Sequence, residues 1–340
     1  MKNKIIVACL GLLLLTSCNK DKEIISSLQD YNTSMEVKGY HHGDAIALPK
    51  EVTDNAESVE ISFGDTQTSD LKIDAKYFQL GNNEITFVIK TKGGKTLYQD
   101  ATINVYAKAP EQNMSYEIVK TYPHDTNNFV EGFLLDANTI YESDGQNGAS
   151  QIIKYELGST TPSAVIKQPQ QIFSEGCAIA GDKVFQLTWH SKKGFVYEKA
   201  NLQQVGDFDM PSEMKEGWGM TYDGKNLIAS DGSNTLYFID PANPSKIVRT
   251  IGVAGNSTVY DQLNELEYHD GYIYSNVWRT PYILKINPVN GAVVGKFDFS
   301  DLVKENTHGE DDVLNGIAFK GNNMLVTGKN WPTIYEVKIK

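Results

Sequence analysis

The sequence predicts an all-β protein of two unequal parts, and three observations carry that prediction. Apolar and polar residues alternate in strand-length runs between turn clusters, with 28 Gly and 18 Tyr but only 11 Pro. From about residue 115 to residue 340 the sequence repeats at a period near 45, with about four strand-like runs per unit. The composition, 40% apolar and 22% charged, suits a chain that buries a core.

The first residues stand outside the fold argument. Lys2 and Lys4 precede an apolar stretch, Ile5 to Leu15, that is too short to span a bilayer as a helix, for which about 20 residues are needed. Leu15-Thr16-Ser17-Cys18 follows and resembles a bacterial lipobox. Residues 1–17 therefore read as a lipoprotein signal peptide, with Cys18 as the lipidation site. An ordinary secretory signal is the alternative. Residues 18–30 read as a polar tether. The expected location is the bacterial cell envelope, lipid-anchored at the outer membrane and facing the periplasm or the exterior. The membrane is then met only through the lipid on Cys18. Loss of Cys9 with the leader leaves Cys177 as the one cysteine of the folded body, so neither a disulfide framework nor a Cys-x-x-Cys metal site is available.

Residues 31–110 alternate with period two. The clearest pair, Ile85–Lys90 and Ala101–Tyr106, flanks Lys92-Gly93-Gly94-Lys95 and reads as a β-hairpin. Short strands over some 80 residues resemble a small immunoglobulin-like β-sandwich. Ala107 to Asn113, with Pro110 inside, reads as the linker.

Residues 115–340 hold five units. Phe129-Val-Glu131-Gly132, Phe173-Ser-Glu175-Gly176, Glu216-Gly-Trp218-Gly219, Gln262-Leu-Asn264-Glu265 and Val313-Leu-Asn315-Gly316 open them. A strand, a turn and a second strand follow each opening. Third strands run at 152–155, 194–197, 236–239, 282–286 and 333–337. Fourth strands run at 164–167, 204–208, 246–250 and 292–297. The last unit ends after its third strand, and Tyr116–Tyr122 matches the missing fourth. This is the signature of a five-bladed β-propeller whose ring closes by pairing the two ends of the domain.

Antiparallel neighbours put the start of a first strand and the end of a second strand on one face. Glu131, Glu175, Trp218, Asn264 and Asn315 are thereby expected in a ring around one mouth. Gly145, Trp189, Gly232, Trp278 and Lys329, each 14 residues on, form a second ring there. Trp189, Trp278 and Lys329 stand where a turn would favour glycine, which points to a use beyond the turn.

These residues carry a resemblance. Phe173-Ser-Glu175-Gly176, Leu187-Thr-Trp189, Gly217-Trp218-Gly219, Leu263-Asn264-Glu265-Leu266-Glu267-Tyr268, Asn276-Val-Trp278, Val313-Leu-Asn315-Gly316 and Thr327-Gly-Lys329-Asn-Trp331-Pro332 resemble the plant-type glutaminyl-peptide cyclotransferases, five-bladed propellers also found in bacteria. The resemblance covers about 115–340 and leaves the first domain aside. It implies conversion of N-terminal glutamine of peptides or proteins to pyroglutamate, with release of ammonia. It also implies Glu175 as acid/base, with Asn264 and Lys329 as polar catalytic residues handling the substrate. Phe129, Phe173, Trp189, Trp218 and Trp278 would bind the substrate as aromatic walls. Glu131 would bind it too, standing where the family usually has Gln. A second carboxylate there either anchors the α-ammonium or raises the proton affinity of Glu175. His124-Asp125 matches the family's opening and would stabilise a blade junction. Alternation sends Glu265 and Glu267 to one side of their strand, so at least one is expected to pair across blades.

The net charge is −12, and no run of Lys and Arg exists to release phosphate counterions, so nucleic acid is excluded as a partner. The histidines share no ligand spacing, and no metal or cofactor is required. A structural calcium or zinc ion is compatible with the sequence but not indicated by it, and Glu310-Asp311-Asp312 reads as a solvated loop. A monomer is expected. The alternative function is a peptide- or glycan-binding propeller without turnover, and a third reading is an enzyme of other specificity.

Overall fold

The computed structural model describes residues 20–34 and 38–340. The leader and Cys18 lie outside the described residues. The protein is built mainly of strands and divides into two compact units, one up to Lys108 and one from Ala109 onward.

In the first unit one mixed sheet holds five strands, in the spatial order Tyr40–His41, Thr96–Tyr106, Gly81–Thr91, Ala56–Phe63, Thr66–Thr68. The hairpin around Gly93-Gly94 forms, with Lys90 opposite Thr96 and Gly94 at φ 82°. Among the described residues these strands build one sheet and not the two packed sheets of a sandwich. Beside it the described residues form an antiparallel bridge, Ala45 to Lys72, and helical segments at 20–34 and Lys50–Asn55. Residues 20–34 are thus helical, where a short polar tether was expected over residues 18–30. Ile24 and Leu28, four apart on one helix face, are both buried, which polar composition alone concealed. Asp21 pairs with Lys95, and Asn32 Oδ1 accepts the Thr102 N–H, so the helix is tied to the strand Thr96–Tyr106.

The second unit holds five sheets, each built on an antiparallel meander. The first comprises Val130–Asp136, Thr139–Asp144, Gln151–Glu156 and Ala164–Lys167. The second comprises Ser174–Ala180, Lys183–Thr188, Lys193–Glu198 and Gln204–Asp209. The third comprises Met220–Tyr222, Leu227–Ser230, Thr235–Asp240 and Asn243–Gly252. The fourth comprises Leu263–His269, Tyr272–Val277, Tyr282–Ile286 and Val293–Asp298. The fifth comprises Leu314–Lys320, Asn323–Gly328 and Thr333–Ile339, completed by Tyr116–Pro123. Tyr122 faces Ile334 in that last pairing, so the start and end of the unit share one sheet, with Tyr116–Pro123 as its outer strand.

First strands of successive sheets touch in a closed cycle, the fifth returning to the first. An apolar cluster fills each junction. Phe133, Ile140 and Ile153 of the first sheet, for example, meet Ala318, Leu325 and Ile334 of the fifth. Backbones approach closely where glycine stands. A Cβ on Gly176 would come within 2.5 Å of the Trp218 carbonyl oxygen, to whose oxygen the Gly176 N–H donates at 2.7 Å.

Two further features differ from expectation. Residues 107–113 are not a free linker throughout, because Gln112–Met114 adds in parallel to the outer edge of the fourth sheet and Glu111 accepts the Tyr260 hydroxyl at 2.8 Å. A short helix, Ser300–Asn306, joins the fourth and fifth sheets with Leu302 and Asn306 buried. It accounts for the longest repeat interval, the 51 residues from Asn264 to Asn315. Among the described residues no helix is long and apolar enough to cross a membrane.

Candidate active site

The repeat equivalence is visible in the backbone. The N–H groups of Gly145, Trp189, Trp278 and Lys329 donate to the carbonyls of Phe129, Phe173, Gln262 and Val313, each two residues before a mouth residue. A β-bulge follows in all four of these sheets, between Val130 and Gly132, Ser174 and Cys177, Leu263 and Leu266, and Leu314 and Ile317. An extra residue at a bulge re-aims the side chain there. Glu131, Glu175, Asn264 and Asn315 all stand at such bulges. Hydroxyls from second strands pin two of these backbones, Ser143 Oγ donating to the Glu175 carbonyl and Ser230 Oγ to that of Asn264.

A cavity of about 320 Å³ opens at this mouth. Phe129, Glu131, Phe173, Glu175, Trp189, Trp218, Asn264, Trp278 and Lys329 all line it. Gln146, Asp311 and Val313 complete the lining; Gln146 was not singled out in the sequence, and the other two were not expected at the site. Val313 was within reach, since it occupies the repeat position of Phe129 and Phe173. Asp311 lines the cavity while staying exposed, 3.6 Å from Arg279, so the acidic run is a solvated loop that also reaches the mouth. Asp312 is spent on its own loop, accepting from the backbone N–H groups of His308 and Gly309 and from Asn330.

The walls are aromatic pairs in edge-to-face contact. Phe129 and Phe173 have centroids 6.2 Å apart, Phe173 and Trp189 5.4 Å, and Trp218 and Trp278 5.6 Å. Trp189 and Trp218 both donate their indole N–H to Glu216 Oε2, at 2.6 and 2.8 Å.

A charged cluster forms the floor. Lys329 Nζ lies 2.5 Å from Glu131 Oε1 and 4.5 Å from the Phe129 ring centroid. Asn315 Nδ2 donates to Glu131 Oε2 at 3.2 Å. Glu131 and Glu175 line the same cavity and act on each other's proton affinity. Burial pushes the Glu175 carboxyl well above the usual range, the charges of Glu131 and Glu216 push the same way, and Lys329 opposes them. Glu131 is also raised by burial, against the pull of Lys329. Two buried carboxyls in one cavity, beside one ammonium, favour holding a proton between them. Asn264 Oδ1 is buried at the wall with no hydrogen-bond partner among the described residues.

Glu265 and Glu267 both bond across sheets, as expected of at least one of them. Glu265 is fully buried and accepts the backbone N–H groups of Phe133 at 3.3 Å and Ile317 at 2.9 Å, so one carboxyl joins three sheets. Glu267 accepts the Thr221 hydroxyl at 3.3 Å. His124 lies between the Trp331 carbonyl, 2.7 Å from Nδ1, and Glu142, 3.1 Å from Nε2, at the junction of the fifth and first sheets. Among the described residues no group of three or more His, Cys, Asp or Glu is arranged to hold a metal ion.

The sequence model of the family described as glutamine cyclotransferase matches residues 94–339. The chain is similar to a protein of Arabidopsis thaliana named glutaminyl-peptide cyclotransferase, with 37% identity over 230 residues that cover 66% of this chain and 71% of that one. It is also similar to the crystal structure of Myxococcus xanthus glutaminyl cyclase, at a TM-score of 0.63 and 30% identity, covering 68% of this chain and 98% of that chain.

Proposed function

Because the chain belongs to the glutamine cyclotransferase family and is a glutaminyl-peptide cyclotransferase, we propose that the cavity folds an N-terminal glutamine into a ring with Glu175 as the acid/base. The observation that carries this reading is the convergence of Glu175, Glu131, Lys329 and Asn264 inside one aromatic cavity. Amine and carboxamide belong to the same residue, so the main task is to hold them in an attacking geometry, and Phe129, Phe173, Trp189, Trp218 and Trp278 are the walls suited to it.

In the step we infer, the α-amine nitrogen attacks the side-chain carboxamide carbon and a new C–N bond forms. The amine gives up a proton to Glu175. Lys329 and the Asn264 amide stabilise the negative charge that develops on the carboxamide oxygen. The original C–N bond then breaks, and Glu175 returns the proton to the departing nitrogen, which leaves as ammonia. A carboxyl whose proton affinity is raised by burial suits both halves of this transfer near neutral pH. Glu131 holds Lys329 in place and keeps the proton affinity of Glu175 high.

The same proposal takes the closed cycle of five sheets as a five-bladed β-propeller. Peptides and proteins beginning with glutamine are its substrates, it works as a monomer, and it needs no metal or cofactor. Cys18 is proposed to carry lipid that tethers the protein in the cell envelope, with the first unit as a spacer. The test of the activity is ammonia release from a Gln-initiated dipeptide by the purified protein, with Glu175→Gln beside it. General acid–base catalysis is worth about 10²–10⁴-fold, and a loss of that size is expected. Full activity in Glu175→Gln overturns the assignment, and binding without any ammonia release returns the protein to the binding-module reading.

A further inference from the structure

We propose that Glu216 is a positioning residue that sets the separation of two cavity walls, Trp189 and Trp218, across the junction of the second and third sheets. The inference rests on the cyclotransferase reading for its catalytic readout, but the geometry stands by itself. Glu216 occupies the repeat position two residues before the mouth residue. Phe129, Phe173 and Val313 fill that position in the first, second and fifth sheets and present apolar surface to the cavity. In the third sheet a carboxylate stands there instead. Its Oε2 receives both indole N–H groups, from Trp189 at 2.6 Å and from Trp218 at 2.8 Å.

An indole has one polar hydrogen and no acceptor, so these bonds meet the whole polar demand of both rings. Bonds to an ionised acceptor are shorter and about twice as strong as neutral ones. Two rings from different sheets that share one oxygen cannot move apart independently. The other oxygen, Oε1, faces His190 Nδ1 at 3.4 Å, and the His190 ring stacks on Trp189 with centroids 3.7 Å apart. The outer face of Trp189 is thereby backed as well. A carboxylate whose only role was solubility would have no reason to take both indole hydrogens on one atom.

The charge of Glu216 also reaches Glu175. The groups facing Glu175 are Glu131 and Glu216, which raise its proton affinity, and Lys329, which lowers it. Glu216 itself faces His190. Removing the Glu216 charge while keeping an acceptor oxygen should therefore separate the two effects.

The experiment compares Glu216→Ala and Glu216→Gln with the wild type, using a Gln-initiated dipeptide. Ammonia release gives kcat and KM across pH, and quenching of tryptophan emission follows peptide binding. In Glu216→Ala the walls lose their common acceptor, so KM should rise about tenfold with kcat within about threefold, the pattern of lost binding in both ground and transition state. Tryptophan emission should become more accessible to acrylamide. In Glu216→Gln an acceptor oxygen remains and KM should return to within about threefold of wild type. The pH inflection that Glu175→Gln abolishes should move to lower pH in Glu216→Gln, since a negative charge near Glu175 is gone. Wild-type KM and wild-type quenching in Glu216→Ala overturn the proposal, as does a Glu216→Gln variant as impaired in KM as Glu216→Ala. If the wild type releases no ammonia, the cyclotransferase reading fails. The clamp is then decided by peptide binding alone, supported by about tenfold weaker binding in Glu216→Ala and overturned by unchanged binding.

Discussion

Lys329 Nζ stands 2.5 Å from Glu131 Oε1, an ion pair that crosses from the fifth sheet to the first with both side chains almost wholly buried. The carboxylate expected to bind substrate is thus already engaged by the lysine expected to polarise it. Glu131 also accepts from Asn315 and raises the proton affinity of Glu175, so it organises the cavity floor.

Replacing Glu131 by Gln keeps an acceptor for Lys329 but removes a charge that raises Glu175. The pH inflection of kcat/KM that belongs to Glu175 should move to lower pH, read from ammonia release across pH. Replacing Glu131 by Ala leaves Lys329 buried and unpaired, at a cost of about 3 kcal/mol of stability measured by urea unfolding.

Lys329→Met acts on the same group with the opposite sign. Lys329 lowers the proton affinity of Glu175, so its removal should move the inflection to higher pH. Loss of a donor to the developing oxyanion should reduce kcat by about 10²–10³-fold in the same assay.

Glu267 is pushed up to about 8 by burial, against the pull of its hydrogen bonds from Thr221 and the Tyr268 backbone. A carboxyl raised in the folded state binds more protons folded than unfolded between its ordinary value near 4.5 and 8. Its contribution is full below that window and is lost as pH rises through it. Glu267→Gln should therefore flatten the fall in stability between pH 4.5 and 8, read from unfolding midpoints at a series of pH values.

Closure of the ring has a polar lock. The Tyr122 hydroxyl donates to Glu336 Oε2 at 2.6 Å and accepts from Lys320 Nζ at 2.7 Å. Tyr122→Phe should cost about 1–3 kcal/mol, seen as a lower thermal midpoint with the activity per folded molecule unchanged.

Much of the site was legible in the repeat. Equivalent positions along a chain of similar units must fall at equivalent places in a ring, so Glu131, Glu175, Trp189, Trp218, Asn264, Trp278 and Lys329 could be gathered at one mouth from spacing alone. The same logic applied two residues earlier reaches Glu216 and Val313. In the first unit, by contrast, the polar residues around Ile24 and Leu28 hid a helix, because two apolar residues four apart make a short stripe that is easily read as noise.

The sequence by itself determined the all-β composition, the unit length, the pairing of the 116–123 and 333–339 strands, and the residues offered to the cavity. These follow from periodicity and spacing, which are local and covalent. Only the tertiary structure decided who partners whom: Lys329 with Glu131, Glu216 with two indoles, and Glu265 with the backbones of two other sheets. Such choices depend on distances between residues as much as 198 positions apart in the chain. They also depend on bulges that turn a side chain from one face to another, which hydrophobic alternation does not encode.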